Sequence, residues 1–488
     1  MSNLSDLLPS GGGQNIVEFT ASGTVASGKP VILNANGTVS QVAGTSADQA
    51  IGSETQISLS AIWLSSTFDS SNNKVVYAYR DNLNSDYGTA VVGTVASDNS
   101  ITFGTPVVYN SAQSDENAVT FDSSNNKVVI AYQDDGNSSY GTAIVGTVSG
   151  TSISFGSETV FNAGRTELIS ATFDSNLNKV VIAYEDDPNS SRGTAVVGTV
   201  SGTSISFGSE VVFSTDITSV IAATFDSSNN KVVIVFKAGD ISAGAIVGTV
   251  SGTSISFGSA VNFDTEIMLN FSSAVFDSYN NKVIVFYHTT ENNYGKAVVG
   301  TVSDTSISFG SPVVVHNAVT SDGTVIFDSN ANKLVFTYVD GSNSDYGTLV
   351  VGTVSGTSIS VGSEVVFHTG STSTAQSTVP TTFDSNLNKV VIGYRVSSAG
   401  KSIVFQNQFS NTNLTSTNFI GLADAAISDT ATGKINVKGS INSKQSSLTI
   451  GSDYYVQSDG SVSTTSTSPA VKIGQAVTAT TINMMDLT

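Results

Sequence analysis

Twelve residues in this chain have the type and spacing for recognising a ligand. Asp81, Asp86, Asp134, Asp135, Asp186, Asp187 and Asp340 lie in short stretches reading "RDNLNSDYG", "QDDGNSSYG", "EDDPNSSRG" and "VDGSNSDYG". Tyr87, Tyr140, Tyr294 and Tyr346 each stand just before a glycine at the end of such a stretch, and Asp345 belongs with the acids. A tyrosine ring beside Asp and Asn side chains can stack on a sugar ring and hydrogen-bond its hydroxyls. The competing reading is plain: the tyrosines pad neighbouring elements and the acids keep loops in water. Calcium in "DDGN" and "DDPN" is a third reading, because Asp and Asn oxygens are suitable hard ligands. No other metal and no organic cofactor is expected.

Catalysis has little to stand on. His288, His316 and His368 are far apart, without ligand or triad spacing, and read as surface or loop residues. Arg80, Arg165, Arg192 and Arg395 lie near the same stretches as the acids. A sialidase-like enzyme would need clustered arginines, an acid and a tyrosine nucleophile. Its Ser-x-Asp-x-Gly-x-x-Trp boxes are missing, and the one tryptophan is Trp63. The chain has no cysteine, which removes thiol nucleophiles and thiolate metal sites. A net charge of −20 argues against nucleic acid and anionic membranes, which reward Lys and Arg. No window has the 18 apolar residues of a membrane span. "MSNLSDLLPSGGGQN" lacks the basic lead and apolar core of a secretory signal.

The elements that position these residues repeat. Phe-Asp recurs with its aspartates at Asp69, Asp122, Asp174, Asp226, Asp277, Asp328 and Asp384, spaced by 53, 52, 52, 51, 51 and 56. A lysine follows each aspartate by five positions, as Lys127 follows Asp122. Each unit divides into four strand-like pieces, which in the second copy are "NAVTFD", "KVVIAYQ", "GTAIVGTV" and "SISFGSETVF". The second and third are nearly unbroken apolar runs, expected of strands covered on both faces. The fourth alternates serine with Ile153 and Phe155, expected of a strand with one wet face. Four strands in about 50 residues, wettest last, is the pattern of a propeller blade, so the expected fold is an all-β, seven-bladed β-propeller.

Closure has its own signal. A large apolar residue followed by glycine marks the fourth piece at Phe103, Phe155, Phe207, Phe257, Phe309 and Val361, but not after "KSIVFQNQF" in the seventh unit. "IGSETQI" (Ile51 to Ile57) matches "FGSETVF" (Phe155 to Phe161), so residues 49–57 are expected to supply the missing outer strand beside Lys401 to Phe409. The propeller then spans 49–409. In "FDSSNNK" the aspartate is expected to accept backbone N–H bonds and to face the lysine as a cross-strand pair. A lysine inside the loop disfavours calcium there. The first and third connections of each unit are nearly uniform, whereas the second and fourth differ from unit to unit. The varied connections share one side, the expected contact surface.

Residues 1–48 and 410–488 lie outside the repeat and echo each other. "GKPVILNANGTVSQV" resembles "GSDYYVQSDGSVSTT", each reading strand, Asn-Gly or Asp-Gly turn, strand. "FIGLADAA" and "KIGQAVTA" form a second related pair. The simplest account is a small β domain made from both ends with the propeller inserted between its halves.

The opening "MSNLSDLLPSGGGQNIVEFTASG", the repeated "FDSSNNKVV" and "YGTAIVGTVSGTSISFGS" phrases, and the closing "FIGLADAAISDTATGKINV" together resemble virion structural proteins of tailed bacteriophages, marine ones especially. The terminal segments also resemble small β domains of head-decoration proteins. The resemblance implies a non-enzymatic particle component, assembled in the host cytoplasm and then extracellular. The ends would contact other virion proteins. The propeller would meet a host-surface glycan or protein, with no nucleic acid and no membrane insertion. The alternatives are a capsid-stabilising decoration protein with a passive propeller, or a polysaccharide-degrading or sialidase-like enzyme.

Overall fold

The computed structural model describes residues 15–372, 379–467 and 469–484, and these are strand and turn with only short 3-10 turns. The chain divides into two compact units, Met1–Asp48 with Gln408–Thr488, and Gln49–Asn407.

In the larger unit each repeat folds as an antiparallel meander. Phe121 pairs with Val128, Val128 with Gly146, and Gly146 with Phe155. Strand Lys127–Asp134 is buried at every position but its first, because sheets pack on both of its faces. Ser152–Phe155 alternates exposed and buried at its start, since it lies at the edge. The last sheet is Thr381–Asp384, Lys389–Val396 and Ala399–Gln406. Its outer edge is Ala50–Ile51 and Thr55–Ser58, with Ile51 opposite Phe405 and Gln56 opposite Lys401.

The polar connections between one repeat and the next are not free loops. Thr159–Asp174 is one 16-residue strand. Its first part pairs with Tyr140–Ser149, and from Thr166 onward it pairs with Lys179–Asp186 of the next sheet. A bulge marks the transfer, where Leu168 takes a positive φ of 53°. Glu116 and Val220 do the same in their own sheets. The backbone stays bonded while the side chains remain polar, which is why the composition reads as loop.

Successive sheets meet through two devices. Asp122 is fully buried and folds over its own turn, accepting from Ser124 N at 3.0 Å, Asn125 N at 2.9 Å and Asn125 Nδ2 at 2.8 Å. Asn126 closes that turn at φ 54°. The Ser124 hydroxyl reaches Asn178 in the next turn, and Ser228 reaches Asn281 at 2.6 Å. Asp122 and Lys127 stand opposite each other and the aspartate accepts backbone N–H bonds, both as expected, but the two side chains form no ion pair. The carboxylate is occupied within its turn, and the lysines reach threonines on their own sheet instead: Lys179 to Thr199 at 2.8 Å and Lys333 to Thr353 at 2.7 Å.

The second device is glycine. A Cβ on Gly156 would fall on the Thr203 carbonyl oxygen of the next sheet, and Gly104, Gly208, Gly258 and Gly310 meet Thr151, Thr253, Thr305 and Thr357 in the same way. Gly52, beside the last sheet, meets Asn99 of the first. Lys389 Nζ also donates to Ser97 O at 3.0 Å, and Tyr77 Oη lies 3.0 Å from Ser402 Oγ.

The smaller unit holds two five-stranded sheets of like order. One runs Ile16–Thr20, Thr432–Val437, Phe419–Ala423, Pro30–Leu33, Val39–Gln41. The other runs Ile441–Asn442, Thr481–Asn483, Val471–Thr478, Asp453–Val456, Val462–Ser463. Each ends in a hairpin whose turn glycine has positive φ, Gly37 at 82° and Gly460 at 76°. Gly44–Ala47 pairs with Phe409–Thr412, bringing together the two points where the larger unit leaves and rejoins this one.

Gly156→Ala is expected to destabilise the larger unit by about 1–3 kcal/mol, because a backbone oxygen cannot move aside as a side chain would. Gly150→Asp should change stability far less. Gly150 has open space around it, and Asp304 occupies the equivalent turn position at φ 53°. Denaturant melts of the two variants decide this, and equal losses would refute the assignment.

Candidate functional site

The acids that head the varied connections divide into two kinds. Asp134 ends its strand buried, its Oδ1 accepting from Gly136 N at 3.0 Å and Asn110 Nδ2 at 2.9 Å. Asp186 is buried likewise and accepts from Asn162 Nδ2 at 3.1 Å. Asp340 accepts from Ser342 N at 3.0 Å and Ser342 Oγ at 2.6 Å. Asp81, half-buried, accepts from Leu83 N at 3.1 Å. These four hold the connections in shape from below.

The other acids face outward. Asp135 and Asp187 are exposed, with Ser139 Oγ 2.8 Å from Asp135 and Arg165 NH1 4.0 Å from Asp187. Asp345 is exposed, and half-buried Asp86 lies 3.6 Å from Arg80 Nε. Tyr87, Tyr140, Tyr294 and Tyr346 are half-buried and open the third strand of their sheets, opposite Gln113, Arg165, Val319 and Ser371. Tyr140, Arg165 and Asp187 thus come together, with Arg165 also ion-paired to Glu167. The remaining residues are distributed one group per sheet rather than gathered into a single pocket.

Several residues of this side escaped the sequence reading. Leu83 and Ile217 are 71% and 72% exposed, and Leu59, Ile267 and Val319 are exposed aliphatics on the same connections. Further in, Arg80, which the sequence places near these stretches, is ion-paired to Asp115 and nearly buried. Leu168 N donates to Glu116 at 3.1 Å, and Asp322 faces Arg395. Burial, then Glu167, Asp115 and Glu185, push the Glu116 carboxyl up to about 8, against the Leu168 bond. Burial lifts Asp322 to about 7, opposed by Arg395. Burial and the neighbouring Arg80 lower Arg395. The available signal was variation: Arg80, Gln133, Glu185, Lys237, His288, Val339 and Arg395 share one repeat position and are of six different types.

The histidines need correcting too. His288 is buried against Phe271, ring centroids 4.7 Å apart, and burial lowers it to about 4. His316 is buried, and His368 is half-buried with Nδ1 3.1 Å from Glu54 Oε2. His288 lies near the end of a central strand, and His316 and His368 lie in outer strands that the adjacent sheet covers, which strand-by-strand reading does not reveal.

What this side offers is ring and aliphatic surface beside hydroxyls, carboxylates and guanidinium groups, which is recognition chemistry. No family model matches the chain, and no curated protein matches it. Among solved structures, the BP39L lectin of Burkholderia pseudomallei superposes with a TM-score of 0.57 at 10% identity, covering 74% of this chain and 99% of that one. An arginine-to-alanine triple mutant of AofleA from Arthrobotrys oligospora gives a TM-score of 0.42 at 8% identity, over 68% of this chain and 94% of that one. The first is a likeness of fold, and the fold is a β-propeller.

Glu116 gives this side a pH signature. Its folded value of about 8 lies above its ordinary value of 4.5, so between these limits the folded chain keeps a proton the unfolded chain has lost. Stability from this group therefore falls as pH rises through that window. Glu116→Gln should lose less thermal stability between pH 5 and pH 9 than the native chain. Parallel melting curves across that range would contradict it.

Proposed function

We propose that this protein is a non-enzymatic, carbohydrate-binding virion component of a tailed phage. In this reading Gln49–Asn407 is a seven-bladed propeller, borne on a small β domain built from both ends of the chain. Seven Phe-Asp units and the pairing of Ile51 with Phe405 support the blade count and its closure. The resemblance of the repeats and termini to virion proteins supports the particle and its extracellular location. The small domain would anchor to other virion proteins, and the varied side would meet a host-surface glycan.

One observation carries the binding reading. The uniform turns use their polar groups among themselves, as Asp122 and Ser124 do. The varied side instead leaves Asp135, Asp187 and Leu83 exposed and Tyr140 half-buried, with equivalents of these residues on other sheets. Repeated shallow groups suit weak contacts that many copies on one particle would strengthen. The likeness to a lectin in fold agrees with this reading.

Whole-chain binding to a glycan array tests it. Native protein should bind a set of surface glycans, and a Tyr140→Ala, Tyr294→Ala, Tyr346→Ala triple variant should bind at least about tenfold less, since stacked rings contribute about 0.5–1.5 kcal/mol each. No array binding, with normal adsorption by particles lacking the protein, would overturn it. Immunogold labelling of particles tests the virion assignment separately.

A further inference from the structure

One side-chain position recurs where adjacent sheets of the larger unit meet: Asn110, Asn162, Asp264, His316 and His368 all follow the fourth-strand motif by the same offset. At two junctions an amide fills it and donates to a buried aspartate, Asn110 to Asp134 and Asn162 to Asp186. At two others the carboxylates meet a lysine. Lys296 lies 3.2 Å from Asp264 and 2.7 Å from Glu266, and Lys401 lies 3.0 Å from Glu54, which His368 also contacts. At the remaining one the carboxylates Asp340 and Glu364 meet His316.

The geometry there sets a chemical requirement. His316 Nε2 lies 3.2 Å from Asp340 Oδ1, an atom already fixed by Ser342. Donation from Nε2–H to that carboxylate leaves Nδ1 with its lone pair. Nδ1 then faces Glu364 Oε1 at 2.6 Å, with the Tyr338 hydroxyl 3.4 Å away. Two acceptors so close repel unless a proton or a metal ion lies between them. His316 and Asp340 are buried while Glu364 is 44% exposed, so the cluster opens to solvent on the glutamate side. The three residues offer one ligand atom each, all within 4.8 Å of one another.

We propose that His316 Nδ1 and Glu364 hold a divalent transition-metal ion of the zinc type, with Asp340 on the other ring nitrogen as the group that positions the imidazole. Imidazole with carboxylates suits this class of ion, and ligand atoms about 2.0–2.2 Å from zinc stand roughly 3.4 Å apart in a tetrahedron. Glu364, at the solvent edge, is the ligand that shifts outward to reach that spacing. Asp340, held by Ser342, orients the imidazole from behind, and Tyr338 supports Glu364 from the side. The junctions with Asn110 and Asn162 lack the imidazole and would not bind this ion.

The test uses the untagged whole chain, stripped with chelator, at pH 7.5. Calorimetry with Zn2+ and visible absorption with Co2+ should show one equivalent bound, with d–d bands of an N/O site. His316→Asn recreates the residue at Asn110 and Asn162, so the junction should still fold, as circular dichroism would verify. It and Glu364→Gln should each weaken binding at least about tenfold. No binding by native chain, or equal binding by His316→Asn, overturns the site. So does an NMR titration showing His316 doubly protonated at pH 7.5 in the presence of Zn2+, because a proton then satisfies the contact.

Discussion

The larger unit depends on how closely the backbone of one sheet can approach the next. At each Phe-Gly the fourth strand of a sheet lies against the turn carbonyl of its neighbour, at a separation that leaves no room for a Cβ. That approach is what lets the central strands bury both faces, as Lys127–Asp134 does from its second residue onward. It also fixes which turn must sit beside which strand. The serine and asparagine of successive Asp-headed turns then come within hydrogen-bond reach of each other.

From this constraint follows the difference between the two sides. The turns at one end of each sheet are structural partners of the next sheet, so a change in one unit must be matched in its neighbour. The connections at the other end also touch the next sheet, but through pairs that differ from junction to junction, as Arg80 with Asp115, Asn110 with Asp134 and Lys296 with Asp264 do. There the chain varies: Arg80, Gln133, Glu185 and Lys237 occupy one repeat position. Sequence uniformity on one side and diversity on the other are two consequences of the same packing.

What the sequence disclosed follows the same division. The all-β propeller was legible because each strand's burial is written locally, in the unbroken apolar run of "KVVIAY" and the alternation of "SISF". The missing Asp–Lys ion pair reflects the aspartate's own turn, whereas the exposure of the histidines was misjudged because it depends on the adjacent sheet. Asp122 turns inward to backbone donors, and His316 lies under Tyr338 and beside Glu364. Asp134, Asp186 and Asp340 mislead for the same reason. An aspartate in a polar stretch reads as solvated, yet each is covered by a residue roughly two dozen positions earlier, across a sheet boundary. The polar stretch "NSAQSDENA" likewise conceals a strand, since hydrogen bonds of the backbone leave no mark on side-chain composition.

The smaller unit extends the logic of repetition in another direction. Its two sheets share strand order and an edge hairpin, and they differ in what joins that hairpin to the next strand. In the second sheet this is the short run from Ser463 to Val471; in the first it is the whole excursion from Gln41 to Phe419. A connection tolerates so long an insertion when its two ends are already neighbours, since loop-closure entropy then rises only slowly with length. The pairing of Gly44–Ala47 with Phe409–Thr412 supplies that adjacency. An edge hairpin whose order and register are secured by its own Asn-Gly or Asp-Gly turn does not need the following segment to be short. The long excursion thus leaves and returns at a place where the smaller unit's own strand pairing is already secured.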